Sequence, residues 1–87
     1  MQKVKEKLTT AMSLPKEIAL DLPVVTVVGK REVFVENFKN LLEFTDKKIR
    51  LRLKEGVFIL EGEGLMLKQI TNEHLLINGL VVSISYE

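Results

Sequence analysis

The chain has 87 residues, of which 46% are hydrophobic and 29% charged, with a formal net charge of +1 and no cysteine. This composition excludes a disordered chain, and the length allows a single domain that buries about 60–65% of its unfolded surface. A membrane-crossing helix needs about 20 apolar residues in a row, and charge or glycine interrupts every apolar run earlier, so we expect only peripheral membrane contact. The absence of cysteine excludes a disulfide framework and fits a reducing compartment, so we predict a cytoplasmic protein.

Residues 1–14 are predicted to form a short N-terminal amphipathic helical segment, because apolar residues recur there at helical spacing while lysines occupy other positions. The apolar stripe is Val4, Leu8, Ala11 and Met12, and the lysines are Lys3, Lys5 and Lys7. A helix of this length is marginal in water, so we expect it to dock on the domain, on a partner or on an anionic lipid surface. The candidate docking residues are Lys3, Val4, Lys5, Lys7 and Leu8. Pro15 ends the segment, and residues 15–87 are predicted to form the β-domain.

From Pro23 onward the sequence falls into short β-type runs separated by turn residues, and about eight strands are predicted. The runs are 24–28, 32–36, the stretch around Leu42 and Phe44, 48–54, 57–61, 65–70, 75–77 and 82–86. Gly62-Glu63-Gly64 and Asn78-Gly79 are interpreted as turns between strands. The pattern predicts an all-β fold, an antiparallel β-sandwich. A β-solenoid is the alternative, because Leu51, Ile59 and Leu67 recur at a regular spacing.

One strand alternates cations with branched apolar residues, which is typical of a half-buried strand. Its cations are Lys48, Arg50, Arg52 and Lys54, and its apolar residues are Ile49, Leu51 and Leu53. A two-residue loop at Glu55-Gly56 would place Leu51 opposite Leu60, and Arg52 opposite Ile59 on the other face.

The face that carries the cations is therefore also apolar, and we interpret it as a candidate interaction face for a partner or a second copy of the chain. Its members are Lys48, Arg50, Arg52, Lys54, Val57 and Ile59. The alternative interpretation is a solvated face whose charges discourage edge-to-edge aggregation.

No pattern in the sequence points to catalysis, so we predict no catalytic residue, no metal site and no cofactor. His74 is the sole histidine and lies in a polar turn without the sequence context of a nucleophile. One histidine without cysteine offers no zinc-ligand spacing. Few aromatic residues accompany the cations, so no nucleic-acid partner is expected. The alternative is a small ligand-binding or hydrolytic domain that uses the His74 region.

Several segments, taken in their order and spacing, resemble the YabP/YqfC family of sporulation proteins. They are Leu14-Pro15-Lys16-Glu17-Ile18-Ala19-Leu20-Asp21-Leu22-Pro23, Val27-Val28-Gly29, Val35-Glu36-Asn37, Ile49-Arg50-Leu51, Gly56-x-x-x-Leu60-x-Gly62-x-Gly64-Leu65 and Ile77-x-Gly79-x-x-x-Ser83-Ile84-x-Tyr86. The resemblance spans nearly the whole chain.

The resemblance implies a β-sandwich protein of endospore-forming Firmicutes that acts in spore assembly in the mother cell. It implies a membrane protein resembling YqfD as the partner, and a location in the mother-cell cytoplasm, peripheral on the membrane around the forespore. It brings no catalytic residues. The protein is therefore expected to be a non-catalytic sporulation factor that works by protein-protein interaction, with a homo-oligomer as a further expected assembly.

Overall fold

The structure, a computed structural model, describes residues 22–87, which form six strands in one antiparallel sheet. The strands are β1 (Val24–Val28), β2 (Glu32–Glu36), β3 (Asn40–Phe44), β4 (Lys48–Arg52), β5 (Val57–Ile70) and β6 (His74–Tyr86). Their order across the sheet is β1-β2-β6-β5-β4-β3, and the sheet does not close. The predicted helical segment, residues 1–14, lies outside the described residues, as does the start of the β-domain.

The all-β prediction is confirmed, but in place of a sandwich of eight short strands there is one sheet of six. The difference arises at the glycines that were interpreted as turns. Gly62-Glu63-Gly64 lies inside the 14 residues of β5, and Asn78-Gly79 lies inside the 13 residues of β6. The register between the two strands shifts at these points. Glycine permits β-bulges that bend a strand without reversing it, so the local sequence is compatible with either outcome.

The long strands β5 and β6 run through both ends of the sheet, and each end contains four strands. The β4 end consists of β3, β4, residues 57–61 of β5 and residues 83–86 of β6. The β2 end consists of β1, β2, residues 74–78 of β6 and residues 66–70 of β5.

Backbone hydrogen bonds from two turns stabilise the junction between these ends. The Gly62 N–H donates to the Lys47 carbonyl at 3.0 Å, and the Val81 N–H donates to the Lys30 carbonyl at 2.8 Å. The backbone at the bends is therefore hydrogen-bonded although the regular ladder is interrupted.

Side chains from both ends form one hydrophobic core. The buried members are Val33, Val35, Phe38, Ile49, Leu51, Leu53, Phe58, Leu60, Leu65, Leu75 and Ile77. Strands β2 and β4 are not neighbours in the sheet, yet both contribute to this core. The sheet therefore curves around its own apolar face.

The hairpin between β4 and β5 has a register that differs by two residues from the predicted one. Leu51 lies opposite Phe58 instead of Leu60, and Arg52 lies opposite Val57 instead of Ile59. The chain reverses earlier, because the Leu53 N–H donates to the Gly56 carbonyl at 2.9 Å, and Gly56 has a φ of 95°. A shift of two preserves the alternation, so the predicted inner and outer faces are both retained. The antiparallel pairing of these strands shows that the β-solenoid alternative is wrong.

Candidate interaction face

The candidate interaction face lies on the outer side of the β4 end, where β4 and β5 hold five of its six predicted residues. On β4, Lys48, Arg50 and Arg52 alternate with core residues, so their side chains point away from the core. Val57 and Ile59 occupy the same face of β5. Lys54 follows β4 in the reversal and is exposed.

Strand β4 is an interior strand, with β3 on one side and β5 on the other. The interpretation that its cations protect a sheet edge is therefore wrong, because the edge of the β4 end on that side is β3. The outer face of β4 must instead be covered by solvent or by a partner, and the cations suit either environment.

Cross-strand pairing sets the local chemistry of the face. Arg50 lies opposite Ile59, Arg52 lies opposite Val57, and Lys48 lies opposite Glu61. Directly opposed side chains in a sheet are close enough to interact. Val57 and Ile59 are both half-buried although they face away from the core. The aliphatic parts of the two arginines are therefore positioned to pack beside them.

Carboxylates reduce the positive charge of the face. Glu43 on β3 accepts a hydrogen bond from the Arg50 guanidinium at 3.4 Å, and the two side chains are 39% and 33% exposed. The Ser83 hydroxyl donates to the Glu61 carboxylate at 3.3 Å. An ion pair at this exposure contributes at most about 1 kcal/mol.

Sequence reasoning did not assign Glu43 to the face, because a β-bulge between Leu41 and Glu43 interrupts the alternation along β3. Glu61 lies opposite Lys48, so its carboxylate is next to a cation of the preceding strand.

The second predicted site, the docking residues of the N-terminal segment, lies outside the described residues. The set is Lys3, Val4, Lys5, Lys7 and Leu8.

His74 is the first residue of β6 and does not lie in a turn as predicted. Its imidazole Nε2 is 3.9 Å from the Glu36 carboxylate on the opposite residue of β2, and its ring centroid is 5.8 Å from that of Phe34. Its backbone N–H donates to the Thr71 hydroxyl at 2.9 Å. These contacts form a cross-strand cluster on the outer side of the β2 end, well away from the cationic residues of the candidate interaction face.

Neither a metal-binding cluster nor a transmembrane helix is found in the described part of the chain. Residues 22–87 contain no group of three or more histidine, aspartate and glutamate side chains arranged to hold a metal ion. Over the same residues, no helix has the length and apolar character needed to cross a membrane.

Comparison with known proteins gives two matches. The sequence profile of the YabP family matches residues 22–87, the part of the chain that the structure describes. The uncharacterized protein YqfC of Bacillus subtilis (strain 168) is 34% identical over 84 residues, which cover 97% of this chain and 90% of YqfC. No solved structure gives a significant match. Both matches agree with the family that the order and spacing of the motifs indicate.

Proposed function

The chain belongs to the YabP family, and from this premise we propose that it is a non-catalytic sporulation factor that acts by binding other proteins. It works in the mother cell, in spore assembly. Its partner is a membrane protein similar to YqfD, which holds it at the membrane around the forespore. The candidate interaction face is the surface that binds this partner.

The observation that carries the proposal is the position of Val57 and Ile59 on the outer face. Both are half-buried in the chain alone, and both lie opposite an arginine in the middle of the β4 end. Aromatic residues, methionine and arginine are enriched in protein interfaces, and the centres of interfaces are more apolar than their rims. A sheet surface with aliphatic side chains beside arginines fits that description better than a surface that only water covers.

The charges of the face indicate the chemistry of the partner. The Glu43–Arg50 pair is long, at 3.4 Å, and partly exposed. Such a pair is weak, so a carboxylate of the partner can compete for the guanidinium and form a bidentate contact. Arg52 is exposed at the same face. An acidic patch with an apolar centre is therefore the partner surface that complements this one.

The lysines of the N-terminal segment supply a second, weaker contact in this proposal. Each lysine near an anionic membrane contributes about 1 kcal/mol, so Lys3, Lys5 and Lys7 would give salt-sensitive recruitment. Membrane association of this kind is peripheral, and the membrane partner completes it.

The first test replaces Ile59 with lysine. We expect Ile59→Lys to fold normally, because the side chain lies outside the core, and to lose at least about tenfold in partner binding through a buried unpaired charge. Gln69→Lys is the matched control, because Gln69 is exposed on the outer side of the β2 end. Circular dichroism and pull-down from sporulating cells measure the two properties.

The control should retain both the fold and the binding. If Ile59→Lys unfolds the chain, Ile59 is a structural residue and the face is not an interface. If both variants bind as the wild type does, the partner binds elsewhere.

The identity of the partner needs its own experiment. Proteins captured by the chain are compared between sporulating cells that lack the YqfD-like membrane protein and cells in which it is restored. We expect the captured set to shrink in its absence and to recover on restoration. An identical set in both strains would count against a role centred on that protein, while leaving the interaction face itself open to another partner.

A further inference from the structure

Residues 83–86 of β6 form an edge of the sheet at the β4 end. On one side they pair with β5. On the other side of β6, strand β2 pairs only as far as Asn78, and the last contact there is the bond from the Val81 N–H to Lys30. Within residues 22–87, no strand therefore pairs with the outer side of this part of β6.

The hydrogen-bonding groups that point outward along this edge can be identified from the ladder. Glu87 and Val57 exchange two backbone hydrogen bonds, at 2.8 and 3.0 Å, so the backbone groups of Glu87 point towards β5. These directions alternate along an antiparallel strand, so Ser83 and Ser85 also point towards β5. The N–H and C=O groups of Ile84 and Tyr86 then point away from the sheet.

The side chains along this edge are uncharged, and most of them are exposed, although Val81 and Ile84 pack partly against the core. No charged residue and no proline occurs from Leu80 to Tyr86. Val82 is 67% exposed and Tyr86 is 62% exposed. A β-prone, uncharged strand with outward-pointing backbone groups is a template for the addition of another strand.

The opposite edge of the β4 end is strand β3, and it is protected against pairing with another chain. Strand β3 carries a β-bulge between Leu41 and Glu43, where Glu43 is charged, and Lys39 immediately precedes the strand. Bulges and charges are the devices that prevent a sheet edge from pairing with another chain. From Ser83 to Tyr86 the β6 edge has a regular ladder and no charged residue, and the nearest register shift lies before this stretch, at Val82.

We propose that the β6 edge pairs antiparallel with the same edge of a second copy of the chain. The two-fold axis passes through Ser85, so Ile84 of each copy lies opposite Tyr86 of the other. Each of these two residue pairs exchanges two backbone hydrogen bonds, and the outward groups of Ile84 and Tyr86 are all used. A second copy fits because a strand without charges meets no like charge when it faces itself.

This dimer joins the β4 ends of both copies into one continuous sheet. The two-fold axis is perpendicular to the sheet, so both candidate interaction faces lie on the same side. A membrane partner that presents more than one binding surface would then be bound with avidity. The pairing itself rests on the β6 edge alone and does not depend on the proposed function.

The test places charges at the two-fold axis. In the dimer, Ser85 faces Ser85 of the second copy, so Ser85→Lys and Ser85→Glu each put like charges opposite one another. We expect the wild-type full chain to sediment as a dimer of 9.9 kDa chains and to dissociate on dilution. Each variant alone should weaken dimerisation at least about tenfold. An equimolar mixture of the two should restore dimers, because opposite charges then meet.

Sedimentation at several concentrations measures these masses, and circular dichroism checks that each variant is folded. Gln69→Lys, at the β2 end, should leave the dimer unchanged. A wild-type chain that stays monomeric at millimolar concentration would overturn the proposal. So would a dimer that survives both Ser85 substitutions, or two monomeric variants that do not combine when mixed.

Discussion

The two ends of the sheet have similar inner faces and very different outer faces. At the β4 end the outer face carries cations, carboxylates and two half-buried aliphatic side chains, and Arg52 and Glu61 are exposed. At the β2 end the corresponding central row is Thr26, Phe34 and Leu76, and Thr26 is only 6% exposed. A residue that faces away from the core is therefore not necessarily a solvated residue.

The difference shows which part of a β-domain its periodicity specifies. Alternation determines which residues face the core, and it does so equally well at both ends. It does not determine whether the outer face is solvated or covered, because that depends on the chemistry of the residues that point outward. The charged outer face of the β4 end suits binding of a partner, whereas at the β2 end Thr26 is buried and its neighbours Phe34 and Leu76 are half-buried in the chain alone.

The junction between the ends should be the most sensitive point of the fold. A Cβ atom at Gly62 would collide with the backbone carbonyl of Leu80, which belongs to the paired strand and cannot move away without breaking the ladder. We expect Gly62→Ala to cost about 4 kcal/mol or more of unfolding free energy, at the upper limit of single substitutions. Urea denaturation measures this loss.

Gly64→Ala is the matched control for the junction, two residues further along β5. A Cβ there meets no atom within 4 Å, and its φ of 60° costs an alanine only about 1–2 kcal/mol. Equal losses for the two variants would show that backbone conformation, and not the close approach of β6 to Gly62, sets the requirement for glycine.

The shared core predicts that both ends unfold together. Leu51 on β4 and Leu75 on β6 are both fully buried, one at each end. We expect Leu51→Ala and Leu75→Ala each to cost about 3 kcal/mol, through lost burial and a residual cavity. Each variant should still unfold in one transition with an unchanged urea dependence. Two separate transitions in either variant would mean that the ends are independent units joined only by β5 and β6.

How far the sequence predicts this fold depends on the type of signal. The bounds of β1 and β2 agree with the predicted runs 24–28 and 32–36, because β-branched residues there end at clear turn residues. The inner and outer faces of β4 are also predicted correctly. The predicted number of strands is wrong because glycine occurs both at turns and at β-bulges, and only tertiary packing distinguishes the two.

The candidate face was predictable in composition and not in detail. Alternation places Arg50, Arg52, Val57 and Ile59 on one face in any register of the same parity, so a shift of two residues leaves the set intact. The pairing of Arg50 with Glu43 could not be read from the sequence, because it depends on a bulge in β3. Burial of Phe38 in a loop carries no periodic signal either.

The smallest expected effect tests the buried outer face of the β2 end. The Thr26 hydroxyl is buried, and it has no hydrogen-bond partner among residues 22–87. Thr26→Val keeps the branched shape and removes an unsatisfied polar atom, so we expect it to raise the unfolding free energy by about 1 kcal/mol. Thr45→Val is the control, because the Thr45 hydroxyl accepts backbone N–H bonds from Lys47 and Lys48 at 3.2 and 2.9 Å.

Thermal and urea unfolding of these two variants should therefore change in opposite directions. The Thr45 hydroxyl stabilises an exposed turn, and its loss should cost about 1 kcal/mol. The Thr26 hydroxyl was desolvated on folding without compensation, so valine should be the better residue there. Because both substitutions are chemically identical, the difference between them measures only the two environments. If Thr26→Val instead destabilises the chain, the hydroxyl is hydrogen-bonded in solution, and the outer face of the β2 end is more polar and more hydrated than its burial indicates.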